Sequence, residues 1–167
     1  APADAAVAKA SDADAPKPKK KDTSARLRPK QVTLTPAVTP AEAKPGDTVT
    51  LRVAARLEPG WHIYDYDAVQ PEVGPKVTQF DVFDAAGLTP AGDWKADPPP
   101  MVKQDPAFNN ALVRSFEGEA SWSRPFKVPA DATPGKKTVR VQAAYQVCDA
   151  TSCKPPGQWT LPEVTLT

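Results

Sequence analysis

The sequence predicts an all-β fold, and three observations lead to it. From residue 30 onward apolar residues recur at every second position in short runs, proline and glycine turns separate the runs, and no stretch of helical length carries an apolar period of about 3.6 residues. Roughly eight or nine short strands at this spacing pack as two sheets, so the architecture expected is an immunoglobulin-like β-sandwich. A chain of 167 residues has room for one such domain with a full core, plus a tail.

The elements follow in order. Gln31 to Thr35 alternates, and Lys44-Pro45-Gly46-Asp47 is a turn. Val49, Leu51, Val53, Ala55 and Leu57 mark the buried face of a longer strand, because side chains two apart share a face. Glu58-Pro59-Gly60 turns the chain into a short aromatic strand, Trp61 to Tyr64. Val77 to Phe83 and Leu88 to Trp94 are the next strands, separated by Ala86-Gly87, and Pro98-Pro99-Pro100 ends that block. Residues 101–111 show no period and are expected to form a loop. Leu112 to Phe116 and Ala120 to Val128 are expected to pair as a hairpin around Glu117-Gly118-Glu119. After a Pro134-Gly135 turn, Thr138 to Val147 alternates through Val139, Val141, Ala143 and Tyr145, and Trp159 to Leu166 forms the last strand.

Residues 1–29 are Ala, Lys, Asp and Pro with almost no large apolar side chains, too few to offset chain entropy. They are expected to be a disordered basic tail ahead of a domain over 30–167. Residues 1–30 hold eight Lys or Arg against four Asp, which leaves thirteen basic against sixteen acidic residues in the body. A slightly acidic body argues against a nucleic-acid surface, where cations must gather on one face to neutralise phosphates. No apolar stretch approaches the roughly 18 residues that cross a bilayer, so this chain is expected to be soluble. The opening Ala1-Pro2-Ala3-Asp4 fits cleavage after small residues by a signal peptidase and points to export, although an arbitrary boundary reads the same way.

The chemistry lies in Tyr145-Gln146-Val147-Cys148-Asp149-Ala150-Thr151-Ser152-Cys153-Lys154-Pro155-Pro156, at the tip between the last two expected strands. A disulfide that braces an immunoglobulin sandwich ties its sheets across a long separation, whereas a bond between these cysteines encloses four residues. Closing so small a loop contributes only about 2 kcal/mol in the chain-entropy model, against more than 4 for a loop near 100 residues. A solvent-facing tip is also where another thiolate can reach a sulfur in line. Lys154 beside Cys153 favours a thiolate there, while Asp149 beside Cys148 opposes one. Spacing alone leaves the alternative open that the cysteines only brace a turn. Metal binding fails on ligand count: His62 is the single histidine, and a closed zinc site takes four ligands. No Ser/His/Asp constellation or phosphate-cradling loop stands out, and no cofactor is expected.

The string YQVCDATSCKPP, with its CDxxxCxPP signature after an aromatic strand, the earlier PGWHIY, and a proline-rich segment followed by an aromatic loop resemble the periplasmic amino-terminal domain of the thiol:disulfide interchange protein DsbD. The resemblance covers about residues 30–167. It implies an immunoglobulin-like domain whose two cysteines receive electrons from a thioredoxin-like domain, itself supplied by a membrane domain, and pass them to periplasmic client oxidoreductases. It further implies that Cys153 carries the mixed disulfide and that Cys148 resolves it. An aromatic cap over the pair maps onto the stretch from Lys103 to Asn110, with Phe108 as the capping ring. His62 and Tyr64 come beside the thiols, and Tyr145, Asp149 and Lys154 flank them as supporting residues. Neither a thioredoxin-like nor a membrane domain is present, so the chain is expected to be either a piece of a larger membrane-anchored protein or a stand-alone relay.

Two functions therefore compete. The first is an electron relay, a protein-disulfide reductase module of the periplasm or of secreted proteins. The second is a non-catalytic immunoglobulin-like interaction module with a local structural disulfide.

Overall fold

The computed structural model describes residues 28–71 and 74–167, in which thirteen short strands and no α-helix are found. The tail expected over 1–29 falls outside the described residues except at its end, where the Arg28 guanidinium donates to the Thr160 carbonyl at 3.0 Å and Pro29 is buried.

The first sheet is built on β2 (Thr48–Leu57), whose alternation buries Val49, Leu51, Val53, Ala55 and Leu57 as expected. The strand β1 (Val32–Thr39) pairs antiparallel with one edge of β2, from Val32 opposite Leu57 to Thr39 opposite Thr50. The other edge takes β9 (Glu119–Lys127), from Thr48 opposite Lys127 to Arg56 opposite Glu119. The expected strand from Leu88 to Trp94 is not continuous. Its two ends are buried in the core, β5 (Thr89–Pro90) pairs with β9 with the Ala91 N–H donating to the Pro125 carbonyl just beyond it, and the chain returns to β9 again as β6 (Lys95–Asp97).

The second sheet centres on β10 (Lys137–Tyr145), with β4 (Gln79–Asp84) on one side. On its other side the expected strand from Trp159 to Leu166 is broken into β12 (Gly157–Thr160) and β13 (Val164–Leu166). Leu161 still donates its N–H to the Val141 carbonyl at 2.9 Å, but Pro162 has no N–H to continue the ladder.

The third sheet runs in the order β11 (Val147–Cys148), β3 (His62–Tyr64), β8 (Ala111–Phe116) and β7 (Met101–Asp105), and it overturns two expectations. Residues 101–111 are not a loop: β7 pairs with β8 from Met101 opposite Ser115 to Asp105 opposite Ala111. A single turn of 3-10 helix, Pro106–Phe108, closes this hairpin, followed by Asn109 and Asn110 at φ 56° and 57°, a left-handed conformation that Asn tolerates. Nor do β8 and β9 form a hairpin. Glu117-Gly118 is a corner at which the chain leaves the third sheet for the first; Gly118 holds φ 69° there and accepts a hydrogen bond from the Leu57 N–H at 2.7 Å.

The core between the sheets is an aromatic lattice. Trp122 is fully buried, with the Phe116 ring perpendicular at 5.4 Å and Phe80 at 5.5 Å, and its indole N–H donates to Asp65 Oδ1 at 3.0 Å. On the second sheet Tyr145 packs on Trp159, ring centroids 5.0 Å apart. The architecture is the all-β, immunoglobulin-like sandwich that the alternation predicts.

Candidate functional site

Cys148 and Cys153 are joined by a disulfide across the narrow hairpin that follows β11, with Cα atoms 4.0 Å apart. The ladder explains their proximity. Asp149 N–H donates to the Ser152 carbonyl at 2.8 Å and Lys154 N–H to the Val147 carbonyl at 2.9 Å, so Cys148 and Cys153 form the non-hydrogen-bonded pair between two hydrogen-bonded ones, where Cα atoms come closest.

The hairpin is closed by more than sulfur. Asp149 Oδ1 accepts the backbone N–H of Thr151 at 2.9 Å and of Ser152 at 2.7 Å, and both hydroxyls at 3.3 Å. These bonds, the Thr151 and Ser152 amides foremost, hold the Asp149 carboxyl below its ordinary value. The Gln146 amide, at the break between β10 and β11, donates to the Lys154 carbonyl at 3.3 Å and accepts from the Lys76 N–H at 3.1 Å. The Lys154 ammonium sits 5.7 Å from the centroid of the Trp61 ring. The contacts of Gln146 with Lys76 and of Lys154 with Trp61 join segments far apart along the chain, which a local sequence pattern does not link.

The two cysteines differ in access. Cys148 is 3% exposed, whereas Cys153 lies on the exposed returning arm. Register sets what surrounds the buried one. In β3, Ile63 faces the main core and pairs with Val147 and Phe116, which leaves His62 and Tyr64 on the opposite face, opposite Cys148 and Ser115 respectively. On that outer face Tyr64, Val113 and Cys148 make a small apolar cluster apart from the main core, and Phe108, half-buried at the β7–β8 tip, packs against it. Burial pushes the Tyr64 phenol up to about 12, the Asp105 carboxylate adding to the effect. Ser115 is buried beside Tyr64, its Oγ without a hydrogen-bond partner.

The structure therefore brings Cys148, Cys153, His62, Asp149 and Lys154 to one end of the third sheet, with Tyr64 next along the same face, while Phe108, at the β7–β8 tip beyond Ala111, packs against the cluster of Tyr64, Val113 and Cys148. Tyr145 stands apart: it belongs to the main core against Trp159, where burial pushes its phenol up to about 12. The charges expected to bias the two thiols are both engaged elsewhere, Asp149 with its own turn and Lys154 with Trp61. Among the described residues no group of three or more His, Cys, Asp or Glu is arranged to hold a metal.

The family described as "Thiol:disulfide interchange protein DsbD, N-terminal" matches residues 30–165. No curated protein matches the chain at a significant level. Among solved structures the chain is similar to the DsbD n-terminal domain of Neisseria meningitidis in the reduced form, at 19% identity and TM-score 0.48, over 84% of this chain and 96% of that one. It is also similar to the N-terminal periplasmic domain of ScsB from Proteus mirabilis, at 14% identity and TM-score 0.47, over 81% of this chain and 44% of that one.

Proposed function

Because the chain belongs to the family of the amino-terminal domain of the thiol:disulfide interchange protein DsbD, we propose that Cys148 and Cys153 take electrons from a thioredoxin-like donor outside the cytoplasm and hand them to extracytoplasmic client oxidoreductases. The domain is a thiol:disulfide exchange module, and the proposal adds the direction, reductase rather than oxidase, and the roles of the two sulfurs. The observation that carries the roles is the difference in access, with Cys148 buried in β11 and Cys153 on the exposed arm. A donor thiolate attacks Cys153 Sγ in line and expels Cys148 as a thiolate; the donor's second thiol then releases the reduced pair. Discharge to a client reverses the order, with Cys153 carrying the mixed disulfide and Cys148 resolving it. A turn brace is redundant here, because the Asp149 bonds and the ladder already close the hairpin.

The test is equilibration of the pair in glutathione and dithiothreitol buffers. A relay titrates in the range of exchange proteins, above roughly −300 mV, and a value below that favours the bracing disulfide.

Phe108 acts in this reading as the cap that restrains access to the reduced thiols. Phe108→Ala is expected to speed their alkylation by a small reagent about tenfold, the equivalent of about 1.4 kcal/mol of cap closure. The melting temperature should stay nearly unchanged, since the ring packs on the satellite cluster and not on the main core. A large loss of stability without faster alkylation identifies Phe108 as a packing residue only.

A further inference from the structure

We infer that His62, held by Glu117, carries protons to and from Cys148, so that the buried sulfur works at the end of a carboxylate–imidazole–sulfur row. The inference rests on the exchange reading above and deepens it, since it concerns how the buried cysteine is charged and discharged.

The row follows from register. Cys148 lies opposite His62 across β11 and β3, and Ile63 lies opposite Phe116 across β3 and β8, so the next position puts His62 abreast of Glu117. Residues directly opposite on neighbouring strands share a face, with Cβ atoms about 4.5–5.5 Å apart. One contact of the row is already made: His62 Nε2 lies 3.2 Å from Glu117 Oε1. That contact spends one ring nitrogen on the carboxylate and leaves Nδ1 for a second partner. Exposure is graded along the row. The Glu117 side chain is 48% exposed and that of His62 19%, while Cys148 is 3% exposed. His62, opposite Cys148 across the ladder, carries a group that can both take and give a proton near neutrality.

The other titratable and charged groups around His62 do not serve. Tyr64, further along the same face of β3, has its phenol pushed up to about 12 and keeps its proton near neutrality. Asp149 on the β11 side is tied into its turn, and Lys154 on the returning arm lies over Trp61. When a donor thiolate bonds to Cys153 Sγ, the Cys148–Cys153 bond breaks and its electron pair stays on Cys148 Sγ, which takes a proton from the His62 imidazolium. In the opposite sense neutral His62 takes the Cys148 proton, and the thiolate displaces the client thiolate from Cys153. The co-reactants are the donor thiolate in the first step and the client sulfur already bonded to Cys153 in the second.

The experiment follows reduction of the disulfide by dithiothreitol, with rates normalised to the reductant's thiolate, over about pH 5 to 9, the range in which imidazole changes charge. In the wild type the normalised rate is expected to rise about tenfold as pH falls across that range. In His62→Gln the rise is absent, and in Glu117→Gln, at the exposed corner, it is reduced. The same rise in His62→Gln, or none in the wild type, overturns the inference. Should His62→Gln not fold, a full rise in Glu117→Gln overturns it as well. A wild-type disulfide that dithiothreitol reduces at no pH sinks the exchange reading itself, which is a different outcome.

Discussion

Cys148→Ser is expected to accumulate a mixed disulfide with a thioredoxin-like partner, visible as a shifted band on a non-reducing gel, while Cys153→Ser accumulates about a tenth as much or less. The difference arises because the sulfur left in each variant meets a different environment. In Cys148→Ser the remaining thiol is on the exposed arm and the domain has no second thiol to resolve the bond, so with a partner whose own second cysteine is replaced the mixed disulfide persists. In Cys153→Ser the remaining thiol belongs to a 3% exposed residue clustered with Tyr64 and Val113, against which the half-buried Phe108 packs. A partner sulfur approaching it in line must first displace that cluster. Equal trapping by the two variants removes the assignment of roles, though not the exchange itself.

The largest loss of stability is expected from Trp122→Ala, about 3–5 kcal/mol, the range for truncating a buried aromatic. Trp122 is fully buried, with Phe80 and Phe116 at 5.5 and 5.4 Å, so its removal opens a cavity that strands of two sheets cannot close together. It also takes a donor from the Asp65 carboxylate, whose Oδ1 otherwise accepts both the indole and the Tyr66 N–H. At roughly 3 °C per kcal/mol for a domain of this size, the melting temperature should fall by about 10–15 °C. Trp122→Phe keeps most of the volume and should lose much less. A thermal melt of Trp122→Ala within 3 °C or so of the wild type would show that the aromatic lattice contributes little.

Where one face of a strand is buried, the sequence is legible. Val49 to Leu57 alternates because every second side chain of β2 enters the core, and the same holds along β10. Met101–Asp105 is illegible for the converse reason: β7 is an edge strand exposed along most of its length, so pairing imposes no apolar period on it. Glu117-Gly118-Glu119 reads as a hairpin turn because local composition reports a reversal and not which strand is met next; here the chain changes sheets. Pro162 divides an alternating run and shifts its phase, from Trp159 and Leu161 buried before it to Val164 and Leu166 buried after it. At the site the cysteines are visible through their spacing. The contacts of His62 with Glu117 and of Lys154 with Trp61 join residues from distant segments, and no one-dimensional pattern links them.

The hairpin around the cysteines is closed by its ladder, by Asp149 and by Gln146, and none of these bonds involves sulfur. Gaining or losing two electrons should therefore leave the outline of this end of the domain nearly unaltered. A binding protein can bias a two-state equilibrium only by its differential affinity for the two states. If the oxidised and reduced surfaces are alike, docking shifts the midpoint potential little, and the spent form competes with the charged form for the same partners. Flux through such a relay is then governed by the potentials of donor and client and by the ratio of the two forms in circulation, so enriching the reduced population should raise throughput more than tightening the complex.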